Sequence, residues 1–164
     1  MIKLKRFCHQ DIPHLLVHLN NPNVTKFLSS RLPSPYTEVD AIYWVEEGHK
    51  QGAISYAIEC DGVFCGAVGI YLQEDNTEAE IGYWLGEAFW GSSIASRAIF
   101  QLCERIFTTT EIRRIYNPVT ELNVRSIRVM EKCGFIKVAE LNDSVFHEGV
   151  YVDEWVYEKV KKEQ

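Results

Sequence analysis

Two carboxylates and a turn of small residues are the first places in this sequence where chemistry could sit. Glu78 and Glu80 lie two apart in Glu78-Ala79-Glu80-Ile81-Gly82-Tyr83-Trp84-Leu85, which alternates like a strand. Alternation puts both carboxylates on one face with Gly82 and Trp84, and Ala79, Ile81, Tyr83 and Leu85 on the other. Side by side the two repel, which raises one pKa toward a value suited to a general base. The competing reading is a solvated strand face, and it suits Glu78 better than Glu80.

The strand runs on through Gly86 to Trp90 and then Gly91-Ser92-Ser93-Ile94-Ala95-Ser96, where a helix begins. A helix N-terminus offers unpaired N–H donors and a partial positive charge, and both suit a phosphate. Small residues let the phosphate approach the backbone, and the serine hydroxyls add donors. Taken alone, the same pattern fits an ordinary strand–loop–helix junction. Neither Gly-x-x-x-x-Gly-Lys-Ser/Thr nor a strand-borne Gly-x-Gly-x-x-Gly occurs, which argues against triphosphatase and dinucleotide chemistry.

Other reactive residues form weaker sets. His14 and His18 are four apart on a helical stretch, but a zinc site needs a third ligand and none is evident. We expect no metal. The cysteines (Cys8, Cys60, Cys65, Cys103, Cys133) are odd in number and lack a Cys-x-x-Cys pair, so we expect reduced thiols. Cys133, just before Gly134, reads as a buried helix end. The Lys159–Lys162 cluster reads as a frayed basic tail.

The elements that must position these residues follow from periodicity and punctuation. Residues 2–7 read as a strand, and Asp11 as the cap of a helix to about Asn20. Thr37 and Asp40 resemble a capping box opening a helix to about Lys50, closed by Gly52. Asp61-Gly62 joins Ile54–Glu59 to Val63–Leu72 as a hairpin. After the Glu78–Leu85 strand, Ser93–Phe107 is helical, with Ile94, Ala98, Leu102 and Ile106 on one stripe. Ile112–Tyr116 reads as a strand ended by Pro118, and Asn123–Cys133 as a helix closed by Gly134. Phe135–Ala139 and Val150–Tyr157 supply the last strands. The order predicts an α/β (α+β) mixed sheet with helices packed on it.

Length and composition agree with one domain over residues 1–164. The chain is 46% hydrophobic and 24% charged, enough for a real core and a solvated surface. A net charge of −6 disfavours nucleic acid as a partner. No apolar run reaches membrane-spanning length and the first residues lack a signal-peptide core, so a cytoplasmic protein with no membrane partner is expected.

Three segments together resemble the GNAT acetyltransferase superfamily, in particular the branch of ribosomal-protein N-terminal acetyltransferases. They are Ala79–Gly86 with Phe89-Trp90-Gly91; Ser92–Ala98; and Ile112–Tyr116 followed by Asn123-Val124-Arg125-Ser126 and Glu131-Lys132-Cys133-Gly134-Phe135. The loop pattern Gln/Arg-x-x-Gly-x-Gly/Ala falls on Trp90–Ala95, with Ser93 in place of the central glycine. If that position is left-handed, serine costs about 1–2 kcal/mol.

The resemblance implies a mostly antiparallel sheet of about seven strands with helices on both faces. It implies acetyl-CoA as co-substrate and an amine as acceptor. A protein N-terminal α-amine comes first, with a small amine or polyamine, or a non-catalytic acyl-CoA-binding domain, as alternatives. Glu80 is then the expected base and Ser126 the expected acid for the departing thiolate. Gly91, Ser92, Ser93, Ile94, Ala95 and Ser96 would hold the pyrophosphate. A strand splayed near Gly82, Trp84, Leu85 and Gly86 would pair with the pantetheine arm. Asn123 would touch the cofactor or serve as a helix cap. Val24–Tyr36 and a loop around Leu141–Gly149 are expected to shape the acceptor cleft. Exposed aromatics on the last strand leave a homodimer open.

Overall fold

The computed structural model describes residues Met1–Gln164. Seven strands form one sheet: β1 (Ile2–Lys5), β2 (Ala53–Cys60), β3 (Val63–Leu72), β4 (Glu78–Leu85), β5 (Arg114–Thr120), β6 (Ile136–His147) and β7 (Val150–Val160). Their order is β1-β2-β3-β4-β5-β7-β6. Every pairing is antiparallel except β4 with β5. That parallel pair needs a long crossover, which the helix Ile94–Thr109 provides.

Strand alternation builds two separate cores. Ile58, Val68, Ile70 and Ile81 point to one face, where Ala98, Ile99, Leu102 and Ile106 of the crossover helix cover them. Their neighbours Ala57, Phe64 and Ala67 point to the other face, against Leu15 and Ala41. Those two come from α1 (Ile12–His18) and α3 (Glu38–Glu46), which flank the short α2 (Pro22–Thr25). The crossover helix is α4, and α5 (Val124–Lys132) packs beside it through Ile127 and Met130. Helices therefore lie on both faces, as expected.

The capping box at Thr37 forms: Thr37 N–H donates to the Asp40 carboxylate at 2.8 Å, and Asp40 N–H returns to Thr37 Oγ1. The helix it opens stops at Glu46, and a tight turn over Gly48–Lys50 follows. Asp11 does not cap in the expected way. Its carboxylate accepts from Cys8 N–H at 2.9 Å and from Lys5 Nζ at 2.7 Å, so it is buried as half of an ion pair. Asp61 and Gly62, both at positive φ, make the expected hairpin turn, and Glu148-Gly149 makes another between β6 and β7.

Three expectations need correcting. Pro118 does not end its strand: β5 runs from Arg114 to Thr120, with Pro118 opposite Val156. Arg114 N–H donates toward β4, at Thr77 O, and Glu121 N–H toward β7, at Asp153 O. Alternation thus turns the nitrogen of Pro118 toward β4, so its missing N–H falls where the β4 pairing stops after Tyr116 and leaves the pairing with β7 intact. The segment around Leu141–Gly149 is strand β6 and its hairpin rather than a loop, with register shifts that bend it. The basic tail is not frayed from Lys159: Lys161 N–H donates to Arg113 O at 2.8 Å, and Lys159 Nζ to Cys133 O at 3.0 Å.

Candidate active site

β4 and β5 pair only over Glu78–Glu80 and Arg114–Tyr116. Beyond Glu80, β4 stays on β3 through Leu85, while β5 follows β7. The sheet therefore opens as a fork, and a cavity of about 1570 Å³ occupies the opening. Glu78 N-terminal to the fork binds Arg114 at 3.4 Å and does not line the cavity, in keeping with a structural role.

Alternation decides which backbone groups the fork frees. Gly86 N–H donates to Cys65 O on β3 at 2.8 Å, and Glu78 O accepts from Gln73 on the same side. The main-chain groups of Glu80, Gly82, Trp84 and Gly86 thus face β3, and those of Tyr83 and Leu85 face the opening. Leu85 O is taken by Trp90 Nε1 at 3.1 Å. The free edge is consequently Tyr83 N–H and C=O with Leu85 N–H, inside the stretch expected to splay, whereas Gly82, Trp84 and Gly86 turn their main chain to β3. Gly82 sits in an unbroken β3–β4 register without a bulge.

At the open end of the fork the chain passes through Gly91 (φ 75°) and Ser93 (φ 64°) into α4. Ser93 is thus left-handed, and the strain anticipated for a serine there is present, about 1–2 kcal/mol. Its hydroxyl accepts from Lys132 Nζ at 2.6 Å, a contact glycine could not make. The N–H groups from Gly91 to Ser96 have no backbone acceptors, as the start of a helix requires. Ser92 Oγ and Ser96 Oγ turn inward, donating to Phe89 O and Ser93 O, so these hydroxyls brace the turn. Arg125 lies 3.6 Å over the Trp90 ring, adding a second cation beside the free amides.

Glu80 points to the face of the sheet that carries α1 and α3, and it lines the cavity. Burial pushes its pKa up, and the Glu154 carboxylate adds to the effect. The neighbour responsible is therefore Glu154, brought in from β7, and not Glu78. Ser144 Oγ donates to Glu154 Oε1 at 2.6 Å and holds it in place. Ser126 projects from the first turn of α5 on the opposite face. It is buried, and its Oγ accepts from Tyr83 Oη at 2.8 Å. Asn123 caps α5, accepting from Ser126 N–H at 3.2 Å, while also lining the cavity.

The cavity continues past Glu80 between two segments that carry no motif. One is the stretch from Asn23 to Tyr36, and the other is Val145–His147 on β6. Phe27 stacks on His147 with ring centroids 5.1 Å apart. His14 and His18 lie elsewhere, stacked on Phe64. All five cysteines are free, and burial drives the Cys133 thiol up to about 11. No helix is long and apolar enough to cross a membrane.

Sequence reasoning missed Lys132, Arg125, Glu154 and Tyr83. Arg125 and Lys132 are seven apart in α5, two helical turns, and so share a side of it, but their aim depends on how α5 packs on α4. Glu154 had no local signal at all, because its partner is 74 residues away across β7 and β5.

Residues 2–136 match the family model of the acetyltransferase (GNAT) domain. Across 99% of its length the chain is 29% identical to the uncharacterized N-acetyltransferase p20 of Bacillus licheniformis, covering 94% of that protein. It is 24% identical over 92% of its length to the spermidine N(1)-acetyltransferase of Escherichia coli (strain K12), covering 81% of it. RimL, a ribosomal L7/L12 alpha-N-protein acetyltransferase in complex with coenzyme A, has the same fold. The TM-score is 0.87 at 22% identity, with 97% of this chain and 93% of that one covered. A domain model that fits most of the sequence makes the assignment plain: the chain belongs to the GNAT acetyltransferase family, an acetyl-CoA-dependent N-acyltransferase.

Proposed function

We propose that this enzyme acetylates a protein N-terminal α-amine, with Glu80 as the base and Ser126 as the hydrogen-bond donor to the departing sulfur. The observation that carries the acceptor class is the character of the cavity beyond Glu80. Phe27, Leu28, Leu32, Phe146 and His147 line it, and two of its three carboxylates, Glu80 and Glu154, lie close enough together to repel. A peptide offers one ammonium followed by uncharged backbone and side chains, which matches one acidic end and a long apolar wall. A polyamine presents several ammonium groups and favours carboxylates spaced along the channel, whereas Lys26 and Arg31 line this one.

The residues present also fit acetyl-CoA. The free amides of Gly91–Ser96, with Lys132 and Arg125, supply donors and positive charge for a pyrophosphate. The edge at Tyr83 and Leu85 offers main-chain pairing to an amide-bearing pantetheine arm. Asn123 supports α5 by capping it and so holds Ser126 in register.

Glu80 lies on one face of the sheet and Ser126 on the other, with the fork between them. A thioester threaded through the fork would be approached by the amine from the Glu80 side. Glu80, its pKa raised by burial and by Glu154, takes the ammonium proton directly or through water. Ser126 faces the sulfur as the C–S bond breaks.

The acceptor class is tested by offering the purified enzyme acetyl-CoA with N-terminal peptides, spermidine and other small amines, and following free thiol. Peptides should give the highest kcat/KM. A preference for spermidine would overturn the peptide reading, and a polyamine is favoured by one specific contact: Asp40 lines the cavity as a further carboxylate.

A further inference from the structure

The buried hydroxyl of Ser126 has a partner that the acetyl-transfer reading does not use. Tyr83 Oη donates to Ser126 Oγ at 2.8 Å, and Ser126 Oγ has no protein acceptor for its own hydrogen. A serine hydroxyl carries one hydrogen and two lone pairs. A serine in the first turns of a helix often spends its hydrogen on a carbonyl one turn back, and Ser126 does not. With one lone pair taken by Tyr83, the remaining hydrogen is directed away from the phenol, and Ser126 lines the cavity.

Tyr83 is well placed to hold that direction. It lies on β4 three residues beyond Glu80, the last residue paired with β5, and its ring packs against the main core. The bond therefore ties one arm of the fork to α5 on the far side. Burial holds the phenol up at about 12, so Tyr83 remains a donor across the working pH range.

We propose that Tyr83 is a positioning residue for acetyl transfer, its hydroxyl fixing the Ser126 O–H as a donor toward the sulfur of coenzyme A. This inference rests on the reading of Ser126 as the group that faces sulfur. In the reaction the thioester C–S bond breaks and sulfur keeps the electron pair. Sulfur takes its proton from Ser126 Oγ, Ser126 Oγ takes one from Tyr83 Oη, and Tyr83 recovers its proton from water entering the open cleft. The ammonium of the acceptor loses two protons on the Glu80 side, which Glu80 passes to solvent; one offsets the proton that water gives to Tyr83 and the other is the net proton released, so the proton count balances. A bond that strengthens as negative charge develops on the serine oxygen helps most at the point where sulfur departs.

The test uses free coenzyme A, so it does not depend on knowing the acceptor. The thiol of the bound coenzyme is titrated by the ultraviolet absorbance of its thiolate in the full chain and in Tyr83→Phe, Ser126→Ala, Ser126→Thr and the double variant Tyr83→Phe/Ser126→Ala. The thiol pKa should be lowest in the unsubstituted protein and in Ser126→Thr. It should rise by about one unit, a tenfold change, in Tyr83→Phe and further in Ser126→Ala. The double variant should match Ser126→Ala alone, and the Kd for coenzyme A should barely change in Tyr83→Phe. An unshifted thiol in Tyr83→Phe, with a shifted one in Ser126→Ala, would overturn the role of Tyr83 alone. An unshifted thiol in Ser126→Ala would overturn the role of Ser126 as well. A Tyr83→Phe effect that persists in full when Ser126 is already alanine would show that Tyr83 does not act through the serine.

Discussion

The two ends of the cavity are built in different ways. At the end proposed for phosphate the donors are mostly main-chain amides of one continuous segment, Gly91–Ser96, at the start of a helix. At the end proposed for the acceptor the wall consists of side chains from segments more than a hundred residues apart, Phe27 on one side and His147 on the other. Main-chain donors need only a local conformation, which small residues and a helix start enforce. A wall of side chains needs the whole sheet to be in place. One end can therefore stay constant while the other is rebuilt for a different amine. A chain similar both to a spermidine acetyltransferase and, in fold, to a protein N-terminal acetyltransferase fits that division.

If the ends are separable, substitutions at one should leave the other untouched. The largest effect is expected at the junction. Glu80→Gln should lower kcat by about 100-fold or more while the Kd for coenzyme A stays constant. Stopped-flow turnover beside a binding titration checks both. A base works deprotonated, so the rate should rise with pH through a pKa above the usual carboxylate range. Removing the Glu154 charge by Glu154→Gln should move that rise to lower pH, since Glu154 is one cause of the upward shift.

Next in size is the acceptor wall. Phe27→Ala removes the ring stacked on His147 and should raise the acceptor KM roughly tenfold without changing coenzyme binding. Equal weakening of both would break the proposed separation. At the other end, Lys132→Met should weaken coenzyme A binding about tenfold and flatten its salt dependence, because a cation beside the phosphate turn is lost. Isothermal titration at two salt concentrations reads this, and the acceptor KM should not follow.

The smallest effect concerns Ser93. Ser93→Gly relieves about 1–2 kcal/mol of left-handed strain, less the lost Lys132 contact, and should raise the Tm modestly. Thermal denaturation measures it. Coenzyme affinity should be little changed, because the amide that faces the phosphate is retained.

Local patterns sufficed for much of this protein. The alternation of Glu78–Leu85, the Asp61-Gly62 turn, the Thr37–Asp40 cap and the apolar stripe of α4 are each set by neighbours a few residues apart. The same holds for the turn at Gly91–Ser96, including the strain at Ser93. The limits of β5 were not legible, because whether Pro118 is tolerated depends on where β4 departs. The raised pKa of Glu80 was expected from Glu78 beside it in sequence, but that carboxylate is tied to Arg114. Burial and a carboxylate on β7 supply the shift instead. Tyr83 and Ser126 meet only because α5 closes over the fork. The sequence by itself determined the elements and the run of free main-chain amides at the start of α4, since backbone conformation and helix ends are local properties. Tertiary structure alone decided which side chains face one another across the opening, because electrostatics and hydrogen bonding act through space between residues the chain keeps far apart.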